Sequence, residues 1–433
     1  MKKLSAMFHE SVAATRVGWF LASRHIKRSG RGTTALIIFI MTLTFLNLVV
    51  VSGLLLGLIS GSFVQFRESY AGDVIITSAP GREYIEESPE LISFLESNPN
   101  VKAISPRYGV GATILGTLDR IPQKNESPNH ISMRVTGFDP AREEAVTHFS
   151  RFIMAGVPLR NGEEGGILIG ANLLKKYSSF ADANIPGLTL LDNVDVGSRV
   201  RMTIARSSGE PTVKEFTVTG IVKSKVDEIS TRFFTTDREL KRLLTVNQEQ
   251  VQEIAVLARD TVSVEALAEE IKNFMGNRAA RIQTSEEAIP SFLRDIETTM
   301  GILGNALSSI ALVVATITIF IVILINAVTK RKFIGIMKGI GINPFAIQFS
   351  YIIQAFFYAA VGSAIGAALT FGLLKPYFDA NPINFPFSDG ILVVTPAGAA
   401  LRIAILIFVT LLAGYIPAKI IVRKNTLDAI LGR

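Results

Sequence analysis

A chain of 433 residues that is 48% hydrophobic and only 19% charged, with a mean hydropathy of +0.38, is not an ordinary soluble protein, which carries roughly 25% charged residues. The net charge of +7 does not point to nucleic acid, because the basic residues gather beside apolar runs and no basic stripe with interleaved aromatics occurs. There is no cysteine, the histidines (His9, His25, His130, His148) are scattered, and His9-Glu10 lacks a second histidine at metalloprotease spacing, so disulfides and Cys-based zinc sites are excluded and a zinc enzyme is unsupported.

Residues 1–31 place Phe8, Val12, Thr15, Trp19, Ala22 and Ile26 at alternating steps of four and three, with Arg16, Arg24, Lys27 and Arg28 on or near the flanks. This is one face of a basic amphipathic helix, expected to lie in the membrane interface or to pack on protein. It does not read as a cleavable signal sequence, since the apolar run that follows starts late and is long.

The first span covers residues 33–60 within a domain boundary of 32–62, and no charge occurs from Gly32 to Phe66. Basic residues precede it, which places the N-terminus inside. Gly53, Gly57 and Gly61 repeat at steps of four, a spacing that lets helix backbones approach closely; their neighbour is either another span of this chain or a second copy. Asn47, mid-span, is expected to make a helix–helix hydrogen bond.

Residues 63–294 are too polar for membrane and long enough for one large domain or two small ones. Strands are expected at Asp73–Thr77, Val110–Leu115, Ile131–Thr136, Gly166–Ile169, Arg199–Ile204, Glu215–Val222 and Glu253–Ala258. Helices are expected after an N-cap at Ser88 with Pro89 in the first turn, at Ala171–Tyr177 and at Val264–Met275. Gly116–Asn129 and Phe180–Leu190 read as loops. The fold class is therefore a membrane α-helical protein of four spans with a large extracytoplasmic α+β domain inserted between the first and second.

Residues 295–433 hold the rest. The helical pattern starts near Glu286 and continues through the charge-free residues 298–329 as a stalk that becomes the second span. It ends in the basic corner 330–344, VTKRKFIGIMKGIGINP in its wider context, which reads either as a plain positive-inside loop or as a short helix offering Ile334, Ile336, Met337 and Ile340 to a cytosolic partner. The third span covers 345–374, with Gly362, Gly366 and Thr370 at steps of four, and Lys375–Gly390 is a short outer loop. The fourth runs from a cap at Thr395-Pro396 to about Pro417, with Arg402 inside it, expected to snorkel or to pair. The tail from Lys419 is basic, so both termini and the corner lie inside. No GxxxxGK[ST] loop, no G-x-S-x-G elbow and no chain of ionisable residues through the spans occurs.

The corner Arg331-Lys332-Phe333-Ile334-Gly335-Ile336-Met337-Lys338-Gly339-Ile340-Gly341 resembles the turn R-x-x-E-I-G-I-x-[KR]-A-[IL]-G of the FtsX-like permeases, found in macrolide-exporting and lipoprotein-releasing ABC transporters. Phe333 stands where an acid is usual and Gly339 where alanine is. Gly414-Tyr415-Ile416-Pro417-Ala418 is similar to the family's G-x-x-P-A, and Thr426-Leu427-Asp428-Ala429-Ile430 to its P-x-x-A-L tail, with Thr426 for proline. Val135–Pro140 resembles V-x-G-x-D-P, Gly166–Ala171 the V-x-[IL]-G strand, and Asp195-Val196-Gly197 the V-G-D turn.

The resemblance implies a non-catalytic permease subunit working as a pair, identical or paralogous, in the cell membrane. Two copies of a separate ABC ATP-binding subunit, which carry ATP and magnesium, would dock beneath it, so this chain needs no cofactor of its own. In that reading Lys330, Arg331, Lys332, Ile334, Gly335, Ile336, Lys338 and Gly341, and also Thr426, Leu427 and Asp428, couple to the ATPase. Gly53, Gly57, Gly61, Gly362 and Gly366 are helix-packing positions. Cargo would be a hydrophobic or amphipathic molecule moved outside the membrane, with an extracytoplasmic adaptor and membrane lipid as further partners. The alternatives are a signalling subunit that activates an outer partner such as a cell-wall hydrolase, and a membrane-anchored enzyme or adhesin.

Overall fold

The computed structural model describes residues 2–28, 31–116, 129–178, 181, 189–205, 210–247, 249–276, 278–384 and 389–423. The two expected loops at 116–129 and 180–190 lie largely outside these residues. The chain divides into two compact units, one of Met1–Ile59, Asp295–Ile383 and Gly390–Arg433, the other of Ser60–Arg294 with Asn384–Asp389.

Among the described residues, four helices are long and apolar enough to cross a membrane: Gly32–Ala71, Ser291–Thr329, Pro344–Ala380 and Pro396–Ile420. The second has 39 residues without a break, about 58 Å at 1.5 Å per residue, against a hydrocarbon core of ~30 Å. It starts at Ser291, just after Pro290, rather than near Glu286, where the chain forms a turn instead. The first relaxes into π-turns at Asn47–Val51 and Arg67–Ala71, and the third at Thr370–Leu374, after which it continues helically through Lys375–Ala380. The expected outer loop therefore begins as helix. The fourth is capped as expected, with Thr395 Oγ1 accepting from Gly398 N at 3.1 Å, but it passes through Pro417 and ends at Val422.

Lipid is as apolar as leucine, so these helices are held by close packing and interhelical hydrogen bonds rather than by escape from water. Their shared core joins Ile37, Met41 and Phe45 of the first, Ala315, Ile319, Ile323 and Ala327 of the second, Tyr351, Ala355 and Tyr358 of the third, and Leu406 and Ala413 of the fourth. The second contributes one stripe at steps of four, while Ile302, Ile310, Val313, Ile317 and Ile325 on its other side are exposed. Ser52 and Ser308 hydrogen-bond at 2.9 Å between the first and second helices. Asn47 does not make its expected bond: its side-chain oxygen is buried with no partner among the described residues.

The N-terminal helix, Lys2–Arg28, turns a different face to protein from the one its periodicity suggests. Ala14, Gly18 and Ala22 are buried, and a Cβ on Gly18 would sit 2.8 Å from the Ala346 carbonyl oxygen. Trp19 and Phe20 are exposed. Small residues won the contact because they let the two helix backbones meet.

The other unit is built on a ten-stranded sheet: β1 Val74–Ser78, β2 Val101–Leu115, β3 His130–Phe138, β4 Ile153–Gly156, β5 Gly166–Gly170, β6 Arg199–Ile204, β7 Thr212–Val222, β8 Phe233–Thr236, β9 Glu253–Ala258 and β10 Ala280–Thr284. The order is β10-β1-β9-β2-β3-β8-β5-β7-β4, with β6 bridging β2 and β7. Pairs β3/β8 and β5/β7 are parallel and the rest antiparallel. Strand β2 starts nine residues before its expected position; Pro106 and the glycines Gly109 and Gly111 mask its first half, which pairs with β9.

Helices Ser88–Ser97 and Val264–Met275 cover one end of the sheet through Leu91, Leu95, Leu267, Ile271 and Met275. Each such side chain removed from water contributes roughly 1.5–3 kcal/mol. Ser263 caps the second of these, its Oγ accepting from Ala266 N at 3.3 Å. Ser88 is not the N-cap; Glu87 is, in the left-handed region, and Ser88 Oγ instead donates to Glu249 O at 3.1 Å. Ala171–Tyr177 is a single 3₁₀ turn, Ala171–Leu173, followed by a bridge from Leu174 to Leu191.

Candidate functional site

The basic corner is a helix, Arg331–Gly339, closed at its C-terminal end. Gly341 N donates to Lys338 O at 3.1 Å and Ile342 N to Met337 O at 3.0 Å, the pattern of a C-terminal glycine motif. Gly341 supplies the required left-handed residue at φ +89°, which a side chain would strain. Asn343 then caps the third membrane helix, its Oδ1 accepting from Phe345 N at 2.9 Å, with Pro344 in the first turn. Two caps in five residues make the reversal abrupt.

The corner helix has two faces. Ile334 and Gly335 are buried, and Ile334 belongs to the membrane core with Met337 against it. Ile334 is therefore not a contact for a partner, contrary to expectation: its position in the turn points it back between the spans. Phe333, Ile336 and Ile340 are 68%, 50% and 73% exposed, spaced three and four, so they share the outward face, with Lys332 exposed beside them. Phe333, the departure from the family pattern, thus extends an apolar ridge. Lys330 and Arg331 are half-buried, and burial lowers the Lys330 pKa. Lys338 faces inward and donates to Val422 O at 3.0 Å. Thr426, Leu427 and Asp428 lie outside the described residues.

The glycine stripes are used within the chain. A Cβ on Gly362 would overlap Met41 Cβ, and one on Gly366 would overlap or crowd the Phe45 ring. A Cβ on Gly53 would lie 2.9 Å from Leu392 Cδ1, and one on Gly57 would overlap the Ile391 carbonyl oxygen. Gly61 is buried. Arg402 is half-buried and forms no ion pair with the described residues.

Within the α/β unit lies a buried ionic cluster that sequence reasoning missed. Arg107, on β2, is 3% exposed. Its Nε and Nη2 donate in parallel to the Glu143 carboxylate at 2.8 and 2.7 Å, Nη1 donates to Glu253 Oε1 at 2.7 Å, and Nη2 also donates to the backbone oxygen of Tyr70 at 2.8 Å. Tyr70 OH donates to Glu253 Oε2 at 2.8 Å and accepts from Arg232 Nη1 at 2.7 Å. Ser105 and Thr147 hydroxyls complete the Glu143 shell at 2.6 and 2.9 Å. Burial opposes the Arg107 charge, but Glu143 and then Glu253 outweigh it and hold the pKa above its ordinary value. Burial likewise opposes the Glu253 charge, and Arg107 and Arg232 keep its pKa low. These residues are dispersed over 184 positions of sequence; no local spacing announces them.

One of the family-like motifs serves this cluster. In Val135–Pro140, Asp139 caps helix Pro140–Thr147 by accepting from Ala141 N and Arg142 N at 2.9 and 3.1 Å, and that helix carries Glu143. Gly137 is small because a Cβ there would meet Asp237 Cα at 2.9 Å. Tyr70 lies in the π-turn that closes the first membrane helix, and with Phe66, Ala71, Phe138, Phe149, Phe234 and Ile289 it forms one apolar cluster.

The FtsX-like permease C-terminal family model matches residues 305–426, and that of the MacB-like periplasmic core domain matches residues 34–274, more than half of the chain. A probable export ATP-binding/permease protein of Pseudomonas fluorescens strain Pf-5 is 22% identical over 190 residues, which are 43% of this chain and 28% of that protein. The chain thus spans under a third of that relative's length. Similar solved structures include the periplasmic region of MacB from Actinobacillus actinomycetemcomitans, with 14% identity and TM-score 0.34 over 52% of this chain and 94% of that one. The extracellular domain of the noncanonic ABC-type transporter YknZ from Gram-positive bacteria has 12% identity and TM-score 0.31 over 49% and 99%. On its family matches and its four membrane-length apolar helices, the chain belongs to the ABC transporter permeases of the MacB and FtsX type, a multi-pass membrane protein.

Proposed function

We propose that this permease is driven by a separate ATP-binding subunit docked on the corner helix, and that it converts ATP hydrolysis there into movement of its α/β domain outside the cell membrane. The cargo is a hydrophobic or amphipathic molecule, extracted or expelled at the outer face. Both termini lie in the cytoplasm in this reading, two permease chains act together, and ATP and magnesium belong to the partner. The observation that carries the reading is the exposed ridge of Phe333, Ile336 and Ile340 on a short helix stopped sharply at Gly341. It directly follows the unbroken 39-residue helix that leads back to the α/β domain. Apolar side chains in the middle of a basic rim are what a protein partner buries.

Lys332 and Arg331 at the ridge, and Thr426–Asp428 in the tail, complete the proposed docking site. The test is affinity purification in mild detergent. The native chain recovers an ABC ATP-binding subunit in equal amount, and Phe333→Asp with Ile336→Asp loses it while the membrane fold persists. Equal recovery by that double variant overturns the docking site. Recovery of a cell-wall hydrolase with the complex would select the signalling alternative over transport.

A further inference from the structure

Among the described residues the α/β unit has three apolar cores, and a buried arginine lies on the strand that runs between two of them. Strand β2 supplies Val101 and Ile104 to the core under helices Ser88–Ser97 and Val264–Met275, then Tyr108, Ala112 and Ile114 to the core around β5–β7. Arg107 lies on β2 between those two sets. The third cluster contains Phe66 and Tyr70 from the end of the first membrane helix and Ile289 from the approach to the second.

Arg107 hydrogen-bonds to groups on three separate elements. Glu253 opens β9 of the first core, Glu143 stands on helix Pro140–Thr147, and the Tyr70 carbonyl belongs to the helix end. That carbonyl is one of the acceptors a helix terminus leaves without an internal partner. Arg67 adds a second tie, with Nε 2.8 Å from Asp73 Oδ1, while Asp73 Oδ2 accepts from Ala258 N at 2.8 Å on β9.

A buried ion pair is a poor source of net stability, since desolvation offsets most of its attraction and apolar replacements often match it. What it supplies is a fixed geometry, because every donor and acceptor must be met at once. A planar guanidinium can serve a carboxylate in parallel and still reach two further acceptors; an ammonium cannot.

We propose that Arg107 is a positioning residue, the pin through which displacement of the first membrane helix is delivered to β2, β9 and helix Pro140–Thr147 together. The proposal rests on the ATP-driven reading above. Without the pin, apolar packing still holds the cores, but the helix end can slide against them.

The test uses the full chain with its ATP-binding subunit in lipid nanodiscs. Because the chain has no cysteine, Val213→Cys on β7 and Glu269→Cys on helix Val264–Met275, both exposed, take spin labels cleanly for pulsed distance measurement. The otherwise native complex is expected to show a distance distribution that shifts with ATP. In Arg107→Lys the shifted fraction is expected to fall by about twofold or more, with the melting temperature of the complex kept. A full shift in Arg107→Lys overturns the pin. If Arg107→Lys fails to fold, Glu143→Gln decides, since its amide can accept only one of the two parallel bonds that Arg107 donates to the carboxylate; a full shift there also overturns the pin. No shift in the otherwise native complex overturns the ATP-driven reading and the pin with it, an outcome distinct from loss of the shift in the variants alone.

Discussion

The Lys338 ammonium donates to the Val422 carbonyl oxygen at 3.0 Å, tying the corner helix to the last residue of the fourth membrane helix. The positive charge meets a helix C-terminus, where carbonyls lack internal partners and the dipole favours a cation. Lys338→Met keeps the stem but loses this bond, and is expected to cost about 1.5–3 kcal/mol, as for hydrogen bonds to charged groups. A thermal-shift assay in detergent reads it; an unchanged transition would show the tie is not formed.

Ile334 is 2% exposed in the membrane core, whereas Ile336 one turn-face away is 50% exposed. An aspartate at 334 therefore buries a carboxylate without a partner. Ile334→Asp is expected to abolish the sharp size-exclusion peak, while Ile336→Asp retains it.

Gly366→Val and Gly57→Leu overfill contacts already at van der Waals limits against Phe45 and Ile391. Overpacking of this kind costs about 1–3 kcal/mol. Gly301→Ala is the control, since a Cβ there has no described atom within 4 Å. Detergent melting curves should separate the first two from the third.

His25, on the N-terminal helix, has its pKa lowered to about 4, by burial first and by Lys330 second. Its Nδ1 lies 3.3 Å from Gln354 Nε2, so the unprotonated nitrogen can accept. The fold holds His25 neutral, while the unfolded chain titrates near 6.5. Its contribution is complete above pH 6.5 and declines as pH falls from 6.5 toward 4. Trp19, the chain's one tryptophan, sits on the same helix and reports it. Its emission is expected to change over that window and to become flat in His25→Gln.

Asp139 caps the helix that carries Glu143. Asp139→Ala is expected to destabilise the domain by about 1 kcal/mol, and to widen backbone hydrogen exchange at residues 140–147. Protection equal to wild type in that segment would contradict the cap.

Much was legible in sequence because it depends on local pattern. Apolar run length marked four spans, basic clusters marked their ends, and alternation marked strands such as Arg199–Ile204 and Val264–Met275 as its helical counterpart. The basic, glycine-punctuated run 330–344 marked a corner between spans, though not whether it is loop or helix. Other features had no local signal. Strands β4, β8 and β10 are short and fall among polar residues, so only their neighbours in the sheet define them. Whether Gly53 and Gly57 meet a second copy or this chain was open until Leu392 and the Ile391 carbonyl were found against them. Periodicity could not tell which side of the corner helix faces inward, since Ile334 and Ile336 are equally apolar and only packing distinguishes them. The Arg107 cluster is the extreme case: Tyr70, Arg107, Glu143, Arg232 and Glu253 are ordinary residues in ordinary contexts. They become one site because a ten-stranded sheet brings distant strands within 3 Å of a single guanidinium, and no pattern shorter than the fold encodes that.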